Sequence, residues 1–572
     1  SGKKTETNIL RKDLKQLKSM CLEAEKFAKA LKLDSVSTFE CIVDKEKYYF
    51  MEVNTRVQVE HRVTEMAYKL KFTNPNDPDD AFFVNSIIAA MLLIECYGNV
   101  LPRPERIINS ISGIEARINS TNDSLNPHSG GTIFRWSEPN NQEIRDDQGI
   151  GNVNNFTGFP QPYKLSGAYD SNIALSITKG KSRKECYEKL AEILRKMDIN
   201  GSNLNLNINF LYGILHWFIK NGSMVKPNTN FVSSYLAIAG KIKELNDQLN
   251  IEIAWEILVA DIKKKYGDPG VKICEKKFTL ILRPLKKLLS DTHLLLGWIS
   301  SQKSKYNIKE MIETENPNII LKNLYHYLNL DHQSKNLPID KIWNHDQKIL
   351  EKGYNFYNDL ISKFENLNLP WPQLNNLLNS KKPPKGFYID NFNHSWEEII
   401  ASHKGHQLAM GLLRLPIIIA DEAGFFKLQS NDFLEIEIPD EIHDFNYRQS
   451  LISKLSPTVS SNNNKIIASS GGVFYARESP NAKDFVEEGE RVGKGQVLGL
   501  LEVMKMFNEI RAPSSGRILK KCLEKKSGIL VNKGQILFLI EQDKKNKSTN
   551  NKQKFSQQEK QTSFYMKKIS SL

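Results

Sequence analysis

No run of apolar residues in this chain approaches the roughly 20 needed to cross a bilayer, and no charged-then-apolar leader opens it. Neither a membrane span nor a secretory signal is therefore expected. Cysteine is scarce. Cys21, Cys41, Cys96, Cys186, Cys274 and Cys522 are scattered without CxxC spacing, which argues against a disulfide scaffold and against cysteine-held zinc. They read as thiols of a reducing compartment, the cytoplasm or an organelle lumen. No recognisable nucleic-acid motif accompanies the net charge of +13. Much of that excess sits late in the chain, in Asp543-Lys-Lys-Asn-Lys547 and Lys567-Lys568, so no nucleic-acid partner is expected. What is present is ordinary for a globular protein: 40% apolar and 25% charged residues over 572 positions, enough for three or four domains. The opening Ser1-Gly2, without a methionine, suggests a processed or shortened product.

The most informative stretch is Glu502-Val-Met-Lys-Met-Phe-Asn508, where Lys505 stands between Met504 and Met506. It lies inside an internal repeat. Arg491-Val-Gly-Lys-Gly-Gln-Val-Leu-Gly-Leu-Leu-Glu502 is echoed by Leu530-Val-Asn-Lys-Gly-Gln-Ile-Leu-Phe-Leu-Ile-Glu541, and Gly472-Val-Phe474 more loosely by Gly516-Arg-Ile518. Each copy joins a Gly-containing turn to an apolar strand. Two such sets predict a small flattened β-barrel of two halves, with Lys505 on a hairpin turn between them. The plainer alternative is a strand lysine beside two core methionines, because methionine commonly fills gaps.

Residues 465–542 resemble the biotin carboxyl carrier domain of biotin-dependent carboxylases. The resemblance implies that a biotin protein ligase joins biotin to Lys505 through an amide, removing the charge and leaving a long flexible arm. Met504 and Met506 favour biotin over lipoate, whose domains usually carry Asp-Lys, and the Ala512-Pro-Ser-Ser-Gly516 turn fits the same family. Val503 stands where that family usually has alanine.

Near the start, Leu14, Leu17, Cys21, Ala24, Phe27, Ala28 and Leu31 recur at helical spacing over residues 11–32. Two strand-like runs follow, Val36 to Val43 and Lys47 to Val53, split by Asp44-Lys-Glu46 as in a hairpin. From Glu52 the functional side chains fall at every second position: Glu52, Asn54, Arg56, Gln58, Glu60. In an extended backbone all of these project to one face. Glu40 and Glu52 on neighbouring strands, with the amide of Asn54, make an oxygen-rich site suited to Mg²⁺ (or Mn²⁺) holding nucleotide phosphates. A solvated strand face with alternating charges accounts for the row equally well.

Thr38-Phe-Glu40 together with Phe50-Met-Glu-Val-Asn-Thr-Arg-Val-Gln-Val-Glu-His61 resembles the ATP-grasp signature of biotin carboxylase. The resemblance implies that Glu40 and Glu52 are metal ligands with Asn54 beside them, and that Arg56 is catalytic. Gln58 and the backbone of Val59 would hold bicarbonate. Glu60 would be the general base that deprotonates bicarbonate for attack on the γ-phosphate of ATP, giving carboxyphosphate. Gly113-Ile-Glu-Ala-Arg-Ile-Asn119 resembles a later family segment whose arginine is Arg117, which contacts bicarbonate and stabilises the enolate-like form of biotin. Taken alone, Arg117 would read as a surface ion-pair partner. Tyr169-Asp-Ser171 and Asn203 to Leu211 extend the likeness to about residue 220.

There are departures. Arg62 replaces a usual proline, Ser112 a common histidine, and His128-Ser-Gly-Gly131 a Pro-Ser-Pro-Gly-type turn. The polar Lys71 to Asp80 stands for a compact Gly-containing turn. The family's Gly-rich lid and ATP-contacting lysines do not precede Glu40. The expectation is thus the C-terminal part of a carboxylase subunit, unable alone to perform the ATP-dependent half-reaction.

Between them, Ser233 to Leu249, Ile251 to Tyr266, Lys341 to Phe364 and Ser395 to Leu413 read as amphipathic helices, and Phe425 to Ile438 as strand. His403 and His406, lacking a third ligand candidate, read as helix-surface residues. The expected fold is multidomain α+β. Residues 1–222 form part of an ATP-grasp region with the biotin carboxylase C-terminal domain. Residues 223–455 form a mainly helical linking domain, 456–464 a flexible tether, 465–542 the carrier, and 543–572 a disordered basic tail. The expected function is the biotin-carrying subunit of an acyl-CoA carboxylase, of acetyl- or propionyl-CoA type. It would be oligomeric and paired with a separate carboxyltransferase subunit. Two alternatives stand beside it: a non-catalytic biotin carrier and assembly scaffold, and a different ATP-grasp ligase with a lipoyl-like appendage.

Overall fold

The computed structural model describes the chain apart from residues 1, 35, 46, 99, 109–111, 128–130, 137–143, 146–160, 166–171, 303–315, 331–347, 349–350, 353–354, 363–368, 381, 384–394, 457–463, 469–470, 504–505, 524–526, 533, 544–546 and 572. Helix α1 (Gly2–Ala30) is followed by the antiparallel pair β1 (Thr38–Asp44) and β2 (Lys47–Asn54), as the two periodicities predict. Then come α2 (His61–Ala67), β3 (Tyr68–Asn74), β4 (Asp77–Val84), α3 (Ile87–Tyr97) and β5 (Glu105–Ile108), with the strands ordered β4-β3-β5. This first part is poorly filled. Phe72 and Ala90 are its only buried apolar residues among those described, while Leu14, Leu17, Phe50, Met51, Leu92 and Tyr97 are each at least half exposed.

Packing changes at β6 (Ser112–Asn119). Two three-stranded sheets follow, β6-β10-β8 and β11-β7-β9, built from β7 (Thr132–Trp136), β8 (Ile144–Arg145), β9 (Tyr163–Lys164), β10 (Asn172–Gly180) and β11 (Ile199–Ser202). Helix α4 (Arg183–Lys196), capped by Ser182 Oγ accepting from Glu185 N, buries Leu190, Ala191 and Leu194 against β6 and β10. Helices α5 (Ile208–Asn221), α6 (Phe231–Asn246), α7 (Ile251–Ser290, kinked at Gly267), α8 (Thr292–Ser301) and α9 (Pro317–Tyr327) follow. After them come α10 (Trp371–Leu378), α11 (Trp396–Ala409) and α12 (Leu415–Glu422). One apolar core runs from Ala116 through α4 to α9 and on to α12 and Leu455, while Leu374 and Leu378 of α10 pack in a separate cluster with Trp396 and Ile399 of α11. Among the described residues no helix is long and apolar enough to cross a membrane.

Three expectations need correction. Phe425 to Ile438 is not one strand. It is a 3-10 turn at Phe425–Lys427 followed by a small hairpin of β12 (Gln429–Ser430) and β13 (Ile436–Glu437). Asn431 breaks the run, its Oδ1 accepting from the backbone of Phe433 and Glu435 while Leu434 takes a left-handed φ of 65°. Secondly, residues 543–572 contain a helix, reached below. Thirdly, His403 and His406 on α11 are buried, not on the surface. The His403 ring is held on both sides, Nδ1 by Tyr357 OH at 3.0 Å and Nε2 by Asn375 Oδ1 at 3.0 Å, inside a cluster with Leu360, Leu374 and Trp396. Among the residues proposed as helical from Lys341 to Phe364, most of the first half lies outside the described residues.

Burial drives the His403 imidazole down to about 4, and His216 on α5 likewise to about 4. Both are therefore neutral when folded and free to take a proton when unfolded. Stability should be flat above about pH 6.5, the usual histidine value, and should fall as pH drops towards 4, by about 3 kcal/mol per histidine. Urea midpoints at pH 7.5, 6 and 5, compared with His403→Gln, check this: the variant should lose part of the slope.

Helices α13 (Asp440–His443) and α14 (Phe445–Ile452) lead to the carrier region, two four-stranded sheets. The first is ordered β14-β21-β19-β16, from β14 (Lys465–Ile467), β16 (Arg491–Val492), β19 (Gly516–Lys521) and β21 (Ile536–Gln542). The second is ordered β18-β17-β15-β20, from β15 (Gly472–Tyr475), β17 (Val497–Val503), β18 (Met506–Arg511) and β20 (Ser527–Val531). Ile466, Phe474, Leu498, Leu501, Ile518 and Phe538 fill a separate core. The sequence repeat becomes a structural one, each copy crossing between the sheets: the first runs from β16 in the first sheet to β17 in the second, and the second from β20 in the second sheet to β21 in the first. Gly495 and Gly534 both turn with positive φ, 86° and 81°, and the glutamine after each accepts a backbone N–H, from Gly493 at 3.0 Å and Asn532 at 2.9 Å. Gly472 and Gly516 sit against the carbonyls of Glu502 and Glu541, where a Cβ would come within 2.4 Å in both cases. Helix α15 (Lys547–Ser571) ends the chain of elements.

Candidate functional site

Glu40 on β1 and Glu52 on β2 are direct cross-strand partners. Asn54, two residues further along β2, returns to the same face and donates Nδ2 to Glu40 Oε1 at 2.9 Å and Glu52 Oε1 at 3.2 Å. Gln58 Nε2 adds a second donor to Glu40 at 3.3 Å. No described lysine or arginine forms an ion pair with either carboxylate, and no described group of three or more His, Cys, Asp or Glu converges as a metal cluster. Two acids and one amide, with uncompensated negative charge, fit a hard divalent cation that brings further oxygens from a nucleotide.

The expected single row from Glu52 to Glu60 does not hold. Strand β2 ends at Asn54, and the chain then turns, His61 N donating to Gln58 O at 3.2 Å, to start α2 with Glu60 at its N-cap. Alternation stops where the ladder stops, because no third strand continues to pair with the chain beyond Asn54 among the described residues. The turn separates the functional residues into two groups. Glu40, Glu52, Asn54 and Gln58 form one. Glu60 joins the other by an ion pair with Arg117 of β6, fifty-seven positions away. Arg56 folds onto its neighbour's carbonyl, Val57 O, at 3.4 Å, and Val59 is partly exposed. Tyr169 to Ser171 lie outside the described residues.

Two residues near Arg117 escaped the sequence reading. Glu115, one side-chain step back on the same face of β6 and 7% exposed, places Oε1 3.5 Å from Arg117 Nε. The guanidinium thus lies between a buried and an exposed carboxylate. Asn207, at the N-cap of α5, fastens the strand itself: Nδ2 donates to Arg117 O at 3.0 Å, and Oδ1 accepts from Asn119 N at 2.9 Å. The strand alternation of Glu115 with Arg117 was a readable signal for the first; nothing local announces the second. Arg62, the departure from the family's proline, pairs at 2.8 Å with the buried Glu65, which also accepts from Ile87 N at the start of α3.

On the carrier, β17 and β18 pair up to Val503 opposite Met506. Met504 and Lys505, between them in sequence, and the side chain of Met506 lie outside the described residues. Beside that hairpin Tyr475 donates to Glu502 Oε2 at 2.6 Å, and this carboxylate holds the phenol above its ordinary value. Pairing maintained to the last residue on each side of Met504-Lys505 is what a hairpin presenting a modified lysine requires, so the region fits covalently held biotin.

Comparison with known proteins finds matches in three regions. Residues 464–540 match the biotin-requiring enzyme domain, 115–234 the biotin carboxylase C-terminal domain, and 9–73 the ATP-binding domain of the carbamoyl-phosphate synthase L chain. The biotin carboxyl carrier protein of acetyl-CoA carboxylase from Cyanidium caldarium is 30% identical over 115 residues, 20% of this chain and 74% of the relative. This chain belongs to the biotin-dependent carboxylases. Biotin carboxylase 2 of Bacillus subtilis (strain 168) is 32% identical over 184 residues, 32% of this chain and 36% of the relative. The mitochondrial methylcrotonoyl-CoA carboxylase subunit alpha of Glycine max is 28% identical over 236 residues, covering 40% of this chain and 28% of the relative. Among solved structures, the biotin carboxylase domain of Hydrogenobacter thermophilus 2-oxoglutarate carboxylase, in complex with MgADP and bicarbonate, is 25% identical. It covers 35% of this chain and 36% of its own, with a TM-score of 0.25. The chain spans 36% to 42% of the length of three bacterial biotin carboxylases that it matches. The matched domains are described as biotin-requiring and ATP-binding. The ATP-binding match contains Glu40, Glu52, Asn54, Arg56, Gln58 and Glu60, and the C-terminal-domain match contains Arg117.

Proposed function

We propose that this chain is the biotin-bearing part of an acyl-CoA carboxylase and contributes the bicarbonate side of its biotin carboxylase site. The observation that carries the reading is the Glu60–Arg117 ion pair, which joins the two residues that the family resemblance names as base and anion holder across two elements far apart in sequence. In this reading Glu40 and Glu52 hold the cation, with the amide of Asn54 turned to offer its oxygen. Glu60 takes the proton of bicarbonate, and Arg117 keeps the resulting anion in place and offsets charge developing opposite it. Gln58 and the backbone of Val59 orient the bicarbonate, and Arg56 adds positive charge nearby. Biotin, when bound at Lys505, supplies a ureido nitrogen that accepts the carboxyl group and carries it to a second active site. That second site belongs, in this proposal, to a separate carboxyltransferase acting on acetyl-CoA or propionyl-CoA.

The exposed apolar surface of residues 1–100 supports a further element of the proposal: the ATP site is completed by another polypeptide segment that covers it. Alone, the chain should not cleave ATP. With the complementary part of an ATP-grasp domain supplied, bicarbonate-dependent phosphate release should appear, and binding of a hydrophobic dye to the chain should drop. Phosphate release that never depends on bicarbonate, or dye binding unchanged by the added part, would exclude the assignment and leave a carrier and assembly scaffold.

A further inference from the structure

Helix α15 follows the carrier, yet its apolar face belongs to the helical body. Tyr565, Met566 and Ile569, spaced as one helical stripe, are buried in the core that also contains Ala254, Leu413 and Ile419. Polar contacts fasten the same helix along its length. Thr562 Oγ1 accepts from Asn250 N at 3.0 Å, at the cap of α7. Gln558 Nε2 donates to Asp247 O at 3.2 Å, and Arg414 Nη1 donates to Ile569 O at 3.1 Å. On the other side of the carrier, Leu455 is buried in that core and Ser456 Oγ meets Ser124 Oγ at 3.0 Å.

We propose that α15 is a second anchor, so that the carrier works as an arm fastened to the helical body at both ends instead of swinging from one. The inference rests on the carrier match and on these contacts, and does not need the catalytic reading. Chain length sets the freedom. Whatever their conformation, residues 457–463 let Asn464 lie at most about 29 Å from Ser456, and residues 544–546 let Asp543 lie at most about 14 Å from Lys547. The helix from Lys547 to Thr562 adds about 22 Å. Both connections leave from one edge of the carrier, because β14 and β21 pair side by side and Ile540 N donates to Asn464 O at 2.8 Å. That edge therefore stays within both radii at once, and the carrier pivots about it. A partner active site has to be brought within this reach, which places its docking surface on the helical body.

The test uses the full chain with protease recognition sequences built into residues 457–463 and 544–546, together and separately, followed by size-exclusion chromatography. With only the first connection cut, the carrier with α15 should co-elute with residues upstream of the cut, held by the docked helix. With both cut, the carrier should elute alone while α15 stays with the body. A carrier that leaves after the first cut would overturn the proposal, because α15 would then be no anchor. A carrier that stays after both cuts would overturn it too, because the carrier itself would be what binds.

Discussion

Protein expressed with a biotin protein ligase should carry biotin on Lys505 and on no other lysine, and Lys505→Arg should abolish the modification altogether. The ligase needs a lysine amine that can lose its proton and attack as a nucleophile, whereas a guanidinium keeps its charge at any accessible pH. Position makes the site selective. The strands on either side remain paired to Val503 and Met506, with Val503 buried in the carrier core, so the chain flanking the lysine is fixed in register. Peptide mass spectrometry across residues 497–511 reads the result directly. Unmodified Lys505, under conditions that biotinylate another carrier protein, would remove the carrier role. Biotin on a second lysine would remove its selectivity.

Glu60→Gln is expected to lower bicarbonate-dependent ATP cleavage by about 10² to 10⁴ in protein reconstituted with the complementary ATP-grasp part, the usual range for loss of a positioned general base. The change keeps size and a hydrogen-bond acceptor while removing the site that takes the proton. It also leaves Arg117 with Glu115 as its remaining charged partner. Arg117→Lys should weaken the same reaction, since an ammonium cannot reproduce the two-sided contact that the guanidinium makes with Glu60 and Glu115. Cleavage that continues at the original rate in Glu60→Gln would assign the base elsewhere.

Three structural errors in the sequence reading share one origin. His403 and His406 looked like helix-surface residues, because a single helix does not reveal what packs on it; Tyr357 and Asn375, distant in sequence, make the pocket. The segment after residue 543 looked too polar to fold, and it is polar on most of its surface. Its few apolar residues are nevertheless spaced for one narrow stripe, and a ready-made groove on the body needs no more. The even row from Glu52 to Glu60 assumed that extended backbone continues, whereas the turn at Gln58 converts the last of those residues into a helix cap.

Local pattern by itself determined several elements and the family: the helical stripe over residues 11–32, the β1–β2 hairpin, the duplicated carrier strands, and the motifs around Glu40 and Lys505. Such features depend on neighbours a few positions apart, and their physics of pleat, pitch and turn is legible in order along the chain. The tertiary structure alone decided that Glu60 meets Arg117, that Glu115 and Asn207 hold that arginine, and that α15 returns to the body after the carrier. Each of these is a contact between residues far apart in sequence, chosen by the way packed layers close over a shared core, and that choice leaves no periodic trace in either partner.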